Sequence, residues 1–232
     1  MSVRAVLVWI CLTAVQAGAA EYRAGVAVAD SPRATALAIE RGRGERVVIM
    51  GMDAVGLPHS LPDVVAARVM KRYGLERGAL LLHFAGTAAS RAADADTLVD
   101  LAGRALDAME PASVLSEVLC GQVFLKPFCP SDRKMAPVHG RIHSALQIAE
   151  LSSFSLGARR YQYPVQAISF GRSLTILALG SDVPAGYAEK LKREFAETNL
   201  IVLGNSNALM PWVDDTEDRI MSTIRAVMHR VR

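Results

Sequence analysis

Two short runs, Arg46 to Met52 (RVVIMGM) and Ala79 to Phe84 (ALLLHF), are apolar at nearly every position, and they restrict the fold more than any other feature of the chain. Runs this short read as strands, and a strand without polar alternation has to be covered on both faces. The chain therefore needs layers on either side of a sheet. Tyr22 to Ala29 and Arg33 to Glu40 alternate like half-buried strands around an Asp30-Ser31-Pro32 turn, and Arg41-Gly42-Arg43-Gly44 is a polar turn into RVVIMGM. A helix is expected from Leu61-Pro62-Asp63 to Gly74, with Val64, Val65, Val69 and Met70 inward and Arg68, Lys71 and Arg72 outward. A second helix runs from about Asp94 to Met109, capped by Asp94 or Asp96, with Leu98, Leu101, Ala102, Ala105 and Leu106 on its apolar side.

Beyond it, Ala112 to Leu125 reads as a strand, Lys126 to Pro137 as a loop and Ser144 to Leu156 as another strand. Val165 to Phe170 and Leu174 to Leu179 form a hairpin across Gly171-Arg172-Ser173. A helix at Ala185 to Glu197, a short strand at Leu200 to Leu203 and a terminal helix at Asp214 to Arg232, with Ile220, Ile224 and Val227 inward, complete the chain. Hairpins mixed with strand-helix-strand units imply a layered α/β domain, a mixed β-sheet flanked by helices, over residues 21–232. No internal repeat is visible.

A formal net charge of +3 over 232 residues, with no run of five basic residues, gives no electrostatic footprint for nucleic acid. Residues 1–20 have the form of an export signal: Arg4, the apolar run Ala5 to Val15, then Ala17-Gly18-Ala19-Ala20 with cleavage expected after Ala19 or Ala20. The run is shorter than the roughly 20 apolar residues of a membrane-spanning helix. Trp9-Ile10 before Cys11 do not fit a lipoprotein box. An exported chain would keep Cys120 and Cys129, which either form a disulfide worth about 2 to 3 kcal/mol or remain two buried thiols.

His139 and His143 stand four apart, a spacing that on a helix would present two imidazoles to a metal. Pro137 and Gly140 interrupt such a helix, and no glutamate lies between the histidines to complete a catalytic zinc motif. Ser131 and Lys134 match a serine-lysine spacing within a charged loop. Asp53, Thr87, Asp182 and Asn207 follow the carboxyl ends of expected strands, where open α/β sheets gather ligands.

Several segments share a further pattern: Ala24 to Pro32 (AGVAVADSP), Arg33 to Ile39, Val47 to Leu57 (VVIMGMDAVGL), Tyr163 to Ile168 with Leu177-Ala178-Leu179, Tyr187 to Phe195, and Val202-Leu203-Gly204-Asn205-Ser206-Asn207. In this order they resemble the neutral/alkaline, non-lysosomal ceramidase family, zinc-dependent amidases that release the fatty acid from N-acyl-sphingosine. The resemblance departs at the chemistry. Where the family carries a T-H-T-H-S-G-P type motif, this chain has Leu82-His83-Phe84-Ala85-Gly86-Thr87-Ala88-Ala89-Ser90, so Gly86 and Ala88 fall at the histidine positions. The family's ligating glutamate falls on Asp182 and its ligating tyrosine on Trp212, and the attacking serine has no counterpart. The resemblance thus implies an exported relative without zinc or nucleophile, a scaffold or binding domain for a lipid or other small molecule. Asp53, Thr87, Asp182, Asn207 and Trp212 would border its cleft. The alternative is an active lipid amide or ester hydrolase with a site rebuilt from His139, His143, Asp53 and Asp182.

Overall fold

The computed structural model describes residues 22–30, 33–42, 44–52, 60–84, 94–112, 140–152, 160–172, 174–210, 212 and 216–232. The export signal, Asp53, Gly86, Thr87, Ala88, Cys120, Cys129, Ser131, Lys134 and His139 lie outside these residues, as does the expected strand beyond Ala112.

Strands β1 (Tyr22–Asp30), β2 (Arg33–Arg41) and β3 (Glu45–Met52) form an antiparallel meander. Helix α1 (Leu61–Tyr73) and a 3-10 turn (Arg77–Ala79) lead to β4 (Leu80–Phe84), which lies parallel to β3. Helix α2 (Ala95–Asp107) follows, and β5 (Glu110–Ala112) closes this sheet in the order β4-β3-β2-β1-β5. The second sheet repeats the plan. Strands β6 (Ile142–Ser152), β7 (Arg160–Phe170) and β8 (Leu174–Leu179) are antiparallel. Helix α3 (Ala185–Glu194) then leads to β9 (Asn199–Leu203), parallel to β8, and α4 (Glu217–Arg230) ends the chain. The α/β class, the mixed pairing and the flanking helices are as expected, but the strands divide between two sheets rather than joining one.

Period-2 alternation sets the layers. In the second sheet Val165, Ala167, Leu177 and Leu179 share a cluster with the inward residues of α3 and α4, among them Ile220, Ile224 and Val227. Their neighbours Ile168, Phe170, Ile176 and Ala178 belong to the core shared with the first sheet. Gly25 faces α2 so closely that a Cβ there would stand 2.2 Å from the Ala105 carbonyl oxygen. Helices therefore cover the outer face of each sheet, and the inner faces pack together.

Local chemistry accounts for the helix ends. Asp94, not Asp96, caps α2, its carboxylate accepting from the Thr97 backbone N–H at 2.7 Å and the Thr97 hydroxyl at 2.8 Å. Gly74 ends α1 in the left-handed region, at φ 66°. The expected inward face of α1 needs correction. Leu61, Pro62, Val65, Ala66 and Val69 are buried, whereas Val64 and Met70 are 37% and 53% exposed. At 100° per residue positions 64 and 70 flank the 61/65/69 stripe on opposite sides. Helix α3 stops at Glu194, short of the expected Glu197.

Candidate functional site

The connector after β9 stitches the two sheets together. Asn205 and Asn207 both adopt positive φ, 46° and 60°, bending the chain across the end of β4. Its backbone serves both sheets. On the first sheet Asn207 N–H donates to Leu82 O at 2.7 Å, and Asn205 O accepts from Phe84 N–H at 3.0 Å. Asn205 N–H and Ser206 N–H donate to Ser181 O and Leu179 O at 2.7 and 2.9 Å on the second.

A buried polar network fastens the same junction. Asn207 Oδ1 accepts from Leu82 N–H at 3.2 Å and from Arg77 Nη1 at 3.4 Å, and Asn207 Nδ2 donates to Gln166 Oε1 at 2.7 Å. Gln166, fully buried in β7, donates through Nε2 to Gly78 O at 2.6 Å and Leu80 O at 3.2 Å. Arg77 Nη1 also donates to Leu80 O at 3.1 Å. Burial pushes the Arg77 guanidinium below its ordinary pKa, with Asp63 opposing the shift. Nearby, His83 Nδ1–H donates to Gly204 O at 3.0 Å, a carbonyl being able only to accept. Ser206 lies 3.3 Å from the same nitrogen but is fully buried with its hydroxyl donating to Gly204 O at 2.9 Å, so this pair is structural, not a nucleophile and its base.

Beside the network a cavity of about 590 Å³ continues the seam between the sheets along β6 and β7. Leu146 pairs with Gln166 and Ile148 with Pro164, so these residues share the inner face on which Gln166 reaches the first sheet. Arg77 and Asp63 form one wall, Ala208, Leu209 and Met210 another, and Arg160 and Gln162 stand along β7. The pairing of Val165 with Leu179 puts this part of β7 at the carboxyl end of β8, where the sequence placed a cleft.

Of the described candidates for that cleft, only Asn207 lines the cavity, and its side chain is committed to Leu82, Arg77 and Gln166. Asp182 is exposed, its Oδ1 accepting from Val183 N–H at 3.0 Å. Trp212 packs on Tyr187 of α3, ring centroids 4.6 Å apart and tilted by 56°, with the helix-side cluster of the second sheet. His143 sits on β6 opposite Ser169, whose other partner Thr175 lies at the start of β8, so it occupies the end of the sheet away from Asp182. Of the set expected for a rebuilt hydrolase site, His143 and Asp182 stand at opposite ends of the second sheet, and Asp53 and His139 lie outside the described residues.

The resemblance places the family's zinc ligands at positions 86, 88, 182 and 212. Trp212 offers an N–H donor and no lone pair, and glycine and alanine at 86 and 88 offer no side-chain donor. Among the described residues no group of three or more His, Cys, Asp or Glu is placed to hold a metal. Arg77, Arg160 and Gln166 escaped sequence reasoning. The one visible signal was Gln166, a polar side chain within the apolar run Val165 to Phe170, which a buried strand tolerates only with partners.

No family model and no curated protein matches this chain. Among solved structures, neutral ceramidase from Pseudomonas aeruginosa is similar with a TM-score of 0.56 and 11% identity, over 83% of this chain and 68% of that one. A second, a ceramidase complexed with C2, covers 91% of this chain and 44% of that one at 11% identity, with a TM-score of 0.33 that supports no comparison of folds. The chain has a ceramidase-like fold. No described helix is long and apolar enough to cross a membrane.

Proposed function

We propose that this chain is an exported, non-catalytic relative of the ceramidases that keeps the double sheet as a binding module for an apolar small molecule. The cavity on the inner face of β6 and β7 carries the reading: about 590 Å³ falls within the range of about 300–1,000 Å³ usual for small-molecule sites. Its floor of Leu146, Ile148, Pro164 and Leu209 is apolar, with Arg77 and Asp63 at one wall and Arg160 and Gln162 along β7. Glycine and alanine at 86 and 88 and tryptophan at 212 support the absence of zinc-dependent chemistry. Fold alone does not transmit an activity when the groups that perform it are missing.

Elemental analysis of the purified full-length chain, paired with an assay of fatty-acid release from N-acyl-sphingosine, tests the catalytic half. Far less than one equivalent of zinc and no release above the buffer rate are expected. Stoichiometric zinc with release that chelation abolishes would overturn it. For the binding half, a 1:1 complex with a ten-carbon amphiphile is expected by titration calorimetry, and no binding of any such probe would sink it.

A further inference from the structure

We propose that the cavity selects anionic amphiphiles, with a carboxylate or sulfate head held at Arg77, Arg160 at the rim, and the chain laid along Leu146, Ile148 and Leu209. The inference rests on the cavity being a binding site. Its first ground is the donor count of Arg77. A guanidinium carries five N–H donors in a planar fork. Here Nη1 serves Leu80 O and Asn207 Oδ1, while Nε and Nη2 donate to no described residue. The side chain is only 26% exposed, so water replaces few of the missing partners. Asp63 approaches Nε no closer than 3.9 Å and is itself 85% exposed, which leaves its charge screened by solvent. A carboxylate supplies the bidentate acceptor that no described residue offers this edge.

The second ground is the balance of the walls. Two guanidiniums, Arg77 and Arg160, line the cavity against one carboxylate, Asp63. Among the described residues Arg160 is tied only to Glu150, at 3.9 Å with both side chains exposed, a pairing weak enough to let it swing toward a bound anion. The third is Ile148, a large apolar side chain left exposed on the cavity floor, which a hydrocarbon chain would cover. A neutral amphiphile would satisfy the floor and leave Arg77 as it stands. An amphiphilic cation would add a third positive charge.

Calorimetric titration of the full chain at low ionic strength with decanoate, decyl sulfate, 1-decanol and decyltrimethylammonium separates these cases. Both anions are expected to bind 1:1 and about tenfold more tightly than the alcohol, the worth of a charge-assisted hydrogen bond. High salt should erode that preference. Arg77→Gln should reduce decanoate binding to the level of decanol. Because Arg77 also ties β4 to Asn207, Arg160→Gln is the second variant: at this exposed position it should weaken decanoate binding and leave decanol unchanged. Equal affinity for decanol and decanoate overturns the anion preference while the binding-module reading stands, as does a decanoate affinity untouched by both variants. Failure of all four probes to bind removes the binding module itself.

Discussion

Asn207 joins backbone and side chain in one task. Its φ of 60° turns the connector, and its amide closes hydrogen bonds to Leu82, Arg77 and Gln166. Asn207→Ala would keep the left-handed strain and leave Leu82 N–H and Gln166 Oε1 without their partner, for an expected loss of about 2–4 kcal/mol in urea unfolding. Asn207→Gly relieves the backbone and not the network, so it should recover only about 1 kcal/mol of that. A glycine variant as stable as the parent would show that the network contributes nothing. His83 gives a pH dependence of known sign. Burial holds its imidazole below the ordinary 6.5, against the hydrogen bond to Gly204 O. The folded state then binds fewer protons than the unfolded chain once the pH falls below about 6.5, so the stability is complete above that pH and declines as the pH drops toward the folded value. Urea midpoints at pH 7.5 and 5.5 should fall for the parent and much less for His83→Gln; equal falls would put the titrating group elsewhere.

Elements were legible in the sequence wherever a short apolar run or a capped amphipathic segment stood between turn residues. RVVIMGM and ALLLHF read as covered strands and form them, and the Asp94-to-Asp96 stretch marked the start of α2 without deciding which aspartate caps it. The inward face of α1 was misplaced because Val64 and Met70 are apolar yet lie to either side of the buried stripe, and apolar identity alone does not resolve 100° steps. Contacts between elements left fainter traces. Gly25 sits in the alternating strand β1 like any small residue, but its missing Cβ lets α2 approach to 2.2 Å of where that atom would be. Because the obstruction is the backbone of Ala105 to Met109, no rotamer change can relieve it. Gly25→Ala is therefore expected to cost about 1–3 kcal/mol by thermal or urea unfolding. By contrast, removing the exposed Arg68–Asp96 or Arg72–Asp100 bridge between α1 and α2 should cost about 0.5 kcal/mol or less. If Asp96→Asn destabilised as much as Gly25→Ala, backbone approach would not be what sets the α2 position.

At the scale of the whole molecule the two halves follow one plan, a three-strand meander, a helix, a parallel fourth strand and a further helix. Sequence could not reveal it: pairing such as β3 with β4 or β8 with β9 depends on where a helix returns the chain, and the two halves fill equivalent positions with different residues. One sheet and two sheets also predict the same local patterns, since both bury the same apolar faces. What distinguishes them is the shared core, in which Ile168, Phe170, Ile176 and Leu203 of the second sheet pack with Leu37, Ile39, Ile49 and Leu81 of the first. Neither half can bury its inner face alone, and Gln166 would lose Gly78 O, Leu80 O and its place among them. The full chain is therefore expected to unfold in one cooperative transition, with the far-ultraviolet circular dichroism midpoint coinciding with that of Trp212 fluorescence in a Trp9→Phe background. A fragment of residues 140–232 should show no cooperative transition and should expose its apolar inner face to a hydrophobic dye. If that fragment melts cooperatively at a midpoint close to that of the full chain, the halves are independent domains, and the connector at Asn205 to Asn207 joins them without stabilising either.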